Sequence, residues 1–205
     1  MPYLTSDPAI SLDGFIAGPD QDLEHPLGVG GAALHDWHWG PAEEENAAEA
    51  AAMVEAGAFI MGRNMFGPIR GEWNLDWKGW WGDEPPYHAP VFVLTHHERD
   101  PIEMAGGTTF HFVTDGPEQA LRRATEVAGD GRISICGGAS TINQFLRAGH
   151  IDELRLHVVP IVLGSGETIF ADLKGLAFDV ASTRSTSMVT HMTLRRRRHE
   201  PGDSP

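Results

Sequence analysis

ICGGASTINQFL, residues 135–146 of a 205-residue chain, is the stretch on which the fold of this sequence turns. Ile133 and Ile135 close an apolar strand, Gly137 and Gly138 remove the Cβ at the turn, and Ser140 or Thr141 is placed to cap a helix that Ile142, Phe145 and Leu146 continue on one face. A strand that runs through two glycines into a helix suits a phosphate. Glycine lets the backbone approach a ligand, and the free N–H groups at the positive end of the helix dipole attract an anion. The same pair of glycines also reads as tight strand-to-helix packing with no ligand at all.

Working outward, short apolar runs alternate with helical patterns, the signature of an α/β sheet covered on both faces. Strands are expected at residues 9–12, 58–61, 91–95, 109–113, 132–136 and 153–159. Helices are expected at 43–56, rich in Ala and Glu, and at 118–128, opened by Pro117 in its first turn. After Pro160 the pattern changes, and 178–182 and 188–195 read as antiparallel strands that finish the sheet. Pro2 and Pro8 interrupt the segment that would make a first strand. Residues 18–42 and 67–90, the latter with Trp73, Trp77, Trp80 and Trp81, are long irregular stretches of the kind that carry function or mobility. The tryptophans suit stacking on a flat heterocycle and suit core packing equally.

With 41% hydrophobic and 21% charged residues, the composition is that of one globular domain, taken as residues 1–198 with a tail at 199–205. A formal net charge of −14 excludes a nucleic-acid partner, which would need clustered Lys and Arg. The run Arg195 to Arg198 is read as a solvated edge following the last strand. The single cysteine, Cys136, forms no internal disulfide and reads as a buried inert thiol. The first residues carry no secretory pattern and no apolar run reaches the length of a membrane span, so a cytoplasmic protein with no membrane partner is expected. His35 and His38 are three apart, but no HExxH pattern or cysteine pair accompanies them, and no metal is expected. No GxGxxG fingerprint follows the first strand, which argues against a Rossmann domain.

Four segments then line up in order: ISLDGFIAGPD (10–20), FIMGRNMFGP (59–68), VFVLTHH (91–97) and ICGGASTINQFLRAGHIDELRLHVVPIVLGSGETIF (135–170). Together they resemble the dihydrofolate-reductase-like superfamily, in the branch holding the C-terminal reductase domain of riboflavin biosynthesis proteins. The resemblance implies a three-layer α/β/α sandwich around a central eight-stranded sheet, mixed but mostly parallel, with antiparallel C-terminal strands. It implies an NADPH site across the carboxyl ends of the strands, a small heterocyclic substrate of pterin or aminopyrimidine type, hydride transfer from nicotinamide, and a homodimer.

Carried over onto this sequence, the resemblance places Gly62, Arg63 and Asn64 at the phosphate end of the nucleotide. It puts Thr95 and His96 at the adenosine ribose and its 2′-phosphate, and Gly137, Gly138, Ala139, Ser140 and Thr141 around the pyrophosphate. Arg63 has the bidentate fork that suits a phosphate oxygen, and reads otherwise as a surface ion-pair partner. His96 and His97 read otherwise as loop residues, and Thr95 and Ser140 as turn or capping residues. For catalysis the first candidates are Asp13, which resembles the strand-to-loop position beside nicotinamide, and His157 on the long strand; Asp36 and Trp37 come after them. Asp13 is equally a turn residue of an Asp-Gly pair, and a lone strand histidine such as His157 is more often a satisfied structural residue. The Trp-x-x-Pro and helix carboxylate of folate-reducing members are missing from residues 22–46, so dihydrofolate itself is a poor candidate. Two other readings stay open: a non-catalytic nucleotide- or metabolite-binding protein on the same fold, and a reductase that uses a flavin or deazaflavin.

Overall fold

The computed structural model of the chain describes residues 2–40, 42–67 and 70–197. Arg198 and the tail lie outside them. Ten strands join in one sheet: Leu4–Ser6 (β1), Ala9–Ser11 (β2), Ala58–Gly62 (β3), Pro90–Leu94 (β4), Ile102–Glu103 (β5), Thr109–Val113 (β6), Ile133–Gly137 (β7), Glu153–Val159 (β8), Phe178–Ser185 (β9) and Thr190–Arg196 (β10). The α-helices are Asp36–Trp39 (α1), Ala47–Met53 (α2), Arg63–Phe66 (α3), Pro117–Ala128 (α4) and Ala139–Ala148 (α5).

The strands run in the order β5-β6-β4-β3-β7-β1-β8-β10-β9, with β2 also paired to β8. Pairing is parallel from β6 through β8 and antiparallel at β5–β6, β8–β10 and β10–β9. β1 and β2 are one strand broken at Asp7 and Pro8, where proline has no N–H to give to a ladder. Counted as one strand, and with the two-residue edge β5 set aside, they leave the eight strands that the resemblance implied.

Period-two alternation sorts the side chains into layers. Ala58 and Ile60 of β3, Phe92 of β4 and Ile133 and Ile135 of β7 face one side, where Ala120 and Ala124 of α4 and Ile142, Phe145 and Leu146 of α5 cover them. Phe59, Met61, Val91 and Val93 face the other, against Phe66, Tyr87, Phe110 and the tryptophan-bearing stretch. A third cluster joins Ala9, Leu34, Trp37, Val159 and Val189. The result is a three-layer α/β/α sandwich.

Several elements differ from expectation for local reasons. The helix expected over 43–56 is a 3-10 turn at Glu44–Asn46 followed by α2. Fully buried Asn46 is the cause, since its side-chain amide donates to the Trp37 carbonyl at 2.9 Å and the Ala42 carbonyl at 2.8 Å and so competes with regular helix bonding. Neither Ser140 nor Thr141 caps α5. Gly138 holds the N-cap position, no side chain caps it, and its carbonyl takes the N–H groups of Thr141 and Ile142. Arg195 and Arg197 of the arginine run are exposed, as expected of a solvated edge, and carry surface contacts: Arg195 pairs with Glu153 at 3.3 Å, half-buried Arg196 bonds the Gly149 carbonyl, and Arg197 pairs with Asp179.

Candidate active site

Strand register builds the site. β3 lies between β4 and β7, with Gly62 opposite Leu94 and Met61 opposite Gly137. Three parallel strands therefore end side by side, and the residues after them, Arg63, Thr95 and Gly138, emerge at one edge of the sheet. A cleft of about 1060 Å³ opens there and continues along the sheet face. Gly62, Arg63, Asn64, Thr95, His96, Gly137, Gly138, Ala139, Ser140 and Thr141 all line it.

At this end the backbone does most of the shaping. A Cβ at Gly62 would run into Thr141 Oγ1, so only glycine permits the closeness of β3 to α5. Gly137 adopts φ +146°, a region L-residues avoid, and the Gly137–Gly138 peptide is cis. Gly138 by contrast faces open space, with nothing within 4 Å of a Cβ built there. At the start of α5 the N–H groups of Ala139 and Ser140 have no intrahelical partner and no side-chain cap, whereas those of Thr141 and Ile142 bond the Gly138 carbonyl.

Arg63 lies over the Trp73 ring, its guanidinium carbon 3.8 Å from the ring centroid, and its buried Nε has no hydrogen-bond partner among the described residues. Burial, with Arg70 nearby, lowers its pKa, which still leaves an arginine charged near neutral pH. Trp73 is anchored by donating to the His97 carbonyl at 2.9 Å, and His97 Nδ1 lies 3.5 Å from Glu72. Thr95 Oγ1 accepts the His97 N–H at 3.2 Å, which shapes the turn after β4. Arg99, absent from the sequence reading, approaches the same ring at 5.2 Å and donates to the Leu75 carbonyl. The tryptophan stretch thus packs on the core, with Trp77 donating to the Phe66 carbonyl and Trp81 stacked on Phe110, while Trp80 and Trp81 also reach the cleft.

The far end of the cleft exists because the sheet carries small or polar side chains there. Asp7, Ala9, Ser134 and Cys136 line it in place of large apolar residues, together with Ala50 and Met53 of α2. His35 and His38 form one wall, Nδ1 to Nε2 at 3.1 Å, and the exposed Trp39 stacks on His35 at 5.0 Å. Burial lowers both histidines to about 4, so the pair is neutral near pH 7; in either tautomer arrangement it presents one further donor and one further acceptor. Burial pushes the Cys136 thiol up to about 12, which leaves it unreactive as a thiolate.

The two catalytic candidates lie elsewhere, since neither is among the residues lining the cleft. Asp13 braces a turn. Its carboxylate accepts from Ser11 Oγ at 2.6 Å and from the N–H groups of Leu163 at 3.1 Å and Gly164 at 2.6 Å, bonds that hold it below the usual carboxylate range. His157 is buried on β8, its Nδ1 2.8 Å from His191 Nδ1, and His191 Nε2 is 2.9 Å from Asn46 Oδ1. Trp37 packs against both rings at 4.7 and 5.1 Å, and His157 Nε2 finds no partner among the described residues. Burial pushes His157 down to about 3. Asp36 is exposed and Trp37 is part of this buried cluster. Among the described residues no group of three or more His, Cys, Asp or Glu is placed to hold a metal ion, and no helix is long and apolar enough to cross a membrane.

Residues 2–194 match the RibD C-terminal domain. The chain belongs to this family. Among solved structures, a Shewanella sp. PV-4 protein provisionally named for riboflavin biosynthesis superposes with TM-score 0.65 at 25% identity, covering 97% of this chain and all of that one. The Thermotoga maritima diaminohydroxyphosphoribosylaminopyrimidine deaminase/5-amino-6-(5-phosphoribosylamino)uracil reductase superposes with TM-score 0.59 at 17% identity, and shares the fold over 96% of this chain and 57% of that one. The uncharacterized protein YyaP of Bacillus subtilis (strain 168) is 48% identical over 84 residues, which span 41% of this chain and 40% of the relative.

Within this RibD C-terminal domain the far end of the cleft is what the sequence reading missed. Asp7, the His35–His38 pair and Ser134 come from three separate segments and are joined only by the fold. One signal was present: an aspartate beside a proline inside an otherwise apolar strand pattern is a polar residue at a point where the ladder must break.

Proposed function

We propose that this protein is an NADPH-dependent reductase of a small heterocycle of aminopyrimidine or pterin type. One observation carries the reading: the ends of β3, β4 and β7 bring Gly62 with Arg63, Thr95 with His96, and the uncapped start of α5 to a single cleft. The residues fit the cofactor. A glycine cradle next to an uncapped helix start suits a pyrophosphate. The Arg63 fork, with His96 on the neighbouring strand end, suits a 2′-phosphate.

When bound, NADPH supplies the hydride. The chain's part is to position and to shield. Gly138 leaves room for the pyrophosphate beside the α5 N–H groups, and Gly62 keeps that helix close to β3. Trp73 fixes the Arg63 guanidinium plane. Ala9, Ser134 and Cys136 leave space for a flat ring on the sheet, while Met53, Trp39 and the neutral histidine pair close the far end against water. Membership of a reductase-domain family supports the same reading.

Substitution Gly138→Asp tests it. The side chain would enter open space, so the fold should persist while bulk and negative charge meet the pyrophosphate. Unchanged NADPH affinity in a folded G138D protein would refute the site.

A further inference from the structure

We propose that the far end of the cleft takes an unphosphorylated, amino-substituted flat heterocycle, held along its N–H edge by the Asp7 carboxylate. This rests on the reductase reading and narrows its substrate class.

The first support is the distribution of charge. Among the described residues that line the cleft, the only arginines are Arg63 and Arg70, both just beyond β3 at the nucleotide end, and there is no lysine. Away from them the carboxylates that line it are Asp7 and Glu167, while burial keeps the two histidines His35 and His38, the Cys136 thiol and the Tyr87 hydroxyl neutral near pH 7. A phosphate monoester, with a charge of about −1.5 to −2, would lose its hydration there beside two carboxylates and gain no cation. Arg132 and Arg155 do not supply one. Neither lines the cleft; Arg132 bonds the Ala52 and Glu55 carbonyls, and Arg155 bonds Glu153 at 2.7 Å.

The second support is the state of Asp7 itself, only 7% exposed. Its contacts are Thr5 Oγ1 at 3.3 Å, Arg155 Nη1 at 3.4 Å and Arg132 Nη1 at 3.6 Å. Charge-assisted bonds to a carboxylate run shorter, at about 2.7–2.9 Å, and a carboxylate has about four acceptor positions. A buried carboxylate with only long contacts has acceptor capacity left for a ligand. Burial raises its carboxyl above the ordinary value even though Arg155 and Arg132 pull the other way. An amino group beside a ring N–H offers two donors in the spacing a carboxylate accepts, and the His35–Trp39 stack offers the ring an aromatic wall. The substrate that names the Thermotoga maritima relative carries a phosphate on its ribose. By this argument the present chain selects against that group.

Calorimetric titration of the ligand-free protein with pterin, with 5-amino-6-(ribosylamino)uracil and with the 5′-phosphate of the latter tests the inference. The unphosphorylated uracil is expected to bind at least about tenfold more tightly than its phosphate, and Asp7→Asn to weaken pterin and the uracil by at least about tenfold while leaving NADPH affinity unchanged. Equal or tighter binding of the phosphate, unaltered affinity in D7N, or binding of none of the three would overturn it. Should D7N not fold, the paired uracils on the unsubstituted protein still decide. A parallel NADPH titration judges the reductase reading separately: its failure would remove the reductant and leave the substrate-class result standing.

Discussion

At one end of the cleft the ligand-facing groups are glycines and N–H groups at the ends of three adjacent strands; at the other they are side chains, Asp7, His35 and His38, carried by separate segments. The first end is a property of local chain geometry, and its charge comes from Arg63 and the dipole of α5. The second is a property of packing, and its groups are either neutralised by burial, as the histidines are, or buried with long contacts, as Asp7 is. A backbone-built end suits the part of a ligand that many proteins share, and a side-chain-built end suits the part that differs between them. That division of labour is what the substitutions below probe.

The largest effect is expected at Gly138. G138D should lower NADPH affinity by about 100-fold or more, roughly 2.7 kcal/mol, with an unchanged melting temperature because a Cβ there meets nothing within 4 Å. Fluorescence titration and a thermal melt on the same sample check both halves. Next comes Arg63→Gln, which should cost NADPH about tenfold, as loss of one charge-assisted phosphate contact does, and should abolish any preference over NADH. A selectivity that survives R63Q would shift the 2′-phosphate to other groups, with Arg99 and Arg70 first in line.

The buried histidines give the comparison a pH dependence. An unfolded imidazole titrates near 6.5, whereas burial holds His35 and His38 at about 4 and His157 at about 3. Between those values the unfolded chain binds more protons than the folded one, so their neutral burial is fully tolerated above about pH 6.5 and destabilises increasingly as the pH falls toward 4. The melting temperature should therefore drop between pH 7 and pH 4.5, and His157→Gln should flatten that drop. An acid slope identical in H157Q would remove His157 from the account. The smallest effect belongs to Asp13→Asn, which loosens the turn at Leu163 and Gly164 and should lower the melting temperature slightly while NADPH affinity stays within about twofold.

How much was legible follows the same division. The nucleotide end could be read because its parts are contiguous: a strand, a glycine pair and a helix in residues 133–146, and a strand ending in Gly62 with Arg63 directly after it. Parallel pairing then had only to bring such ends together. The far end could not, because no local pattern says that Asp7, His35 and Ser134 share a wall. Asp13 was ambiguous for a related reason: an Asp-Gly pair is a signal of a turn whether or not a ligand lies beside it, and here the carboxylate accepts from Ser11 and two backbone N–H groups. His157 drew notice as a polar residue on the long strand, yet the alternation of β8 turns it toward Trp37 and His191 instead of the cleft. The broken helix before α2 has the same moral, since Asn46 looks like an ordinary helix residue until Trp37 and His191 are placed around it.

The central claim is that the glycine-and-arginine end of the cleft holds NADPH. Its most direct test is a titration of the purified protein with NADPH and then NADH, following quenching of tryptophan emission and energy transfer to the nicotinamide, since Trp73 stacks on Arg63 and Trp80 and Trp81 line the cleft. Saturable binding with NADPH preferred by at least about tenfold is the predicted result; binding of neither nucleotide would contradict the account.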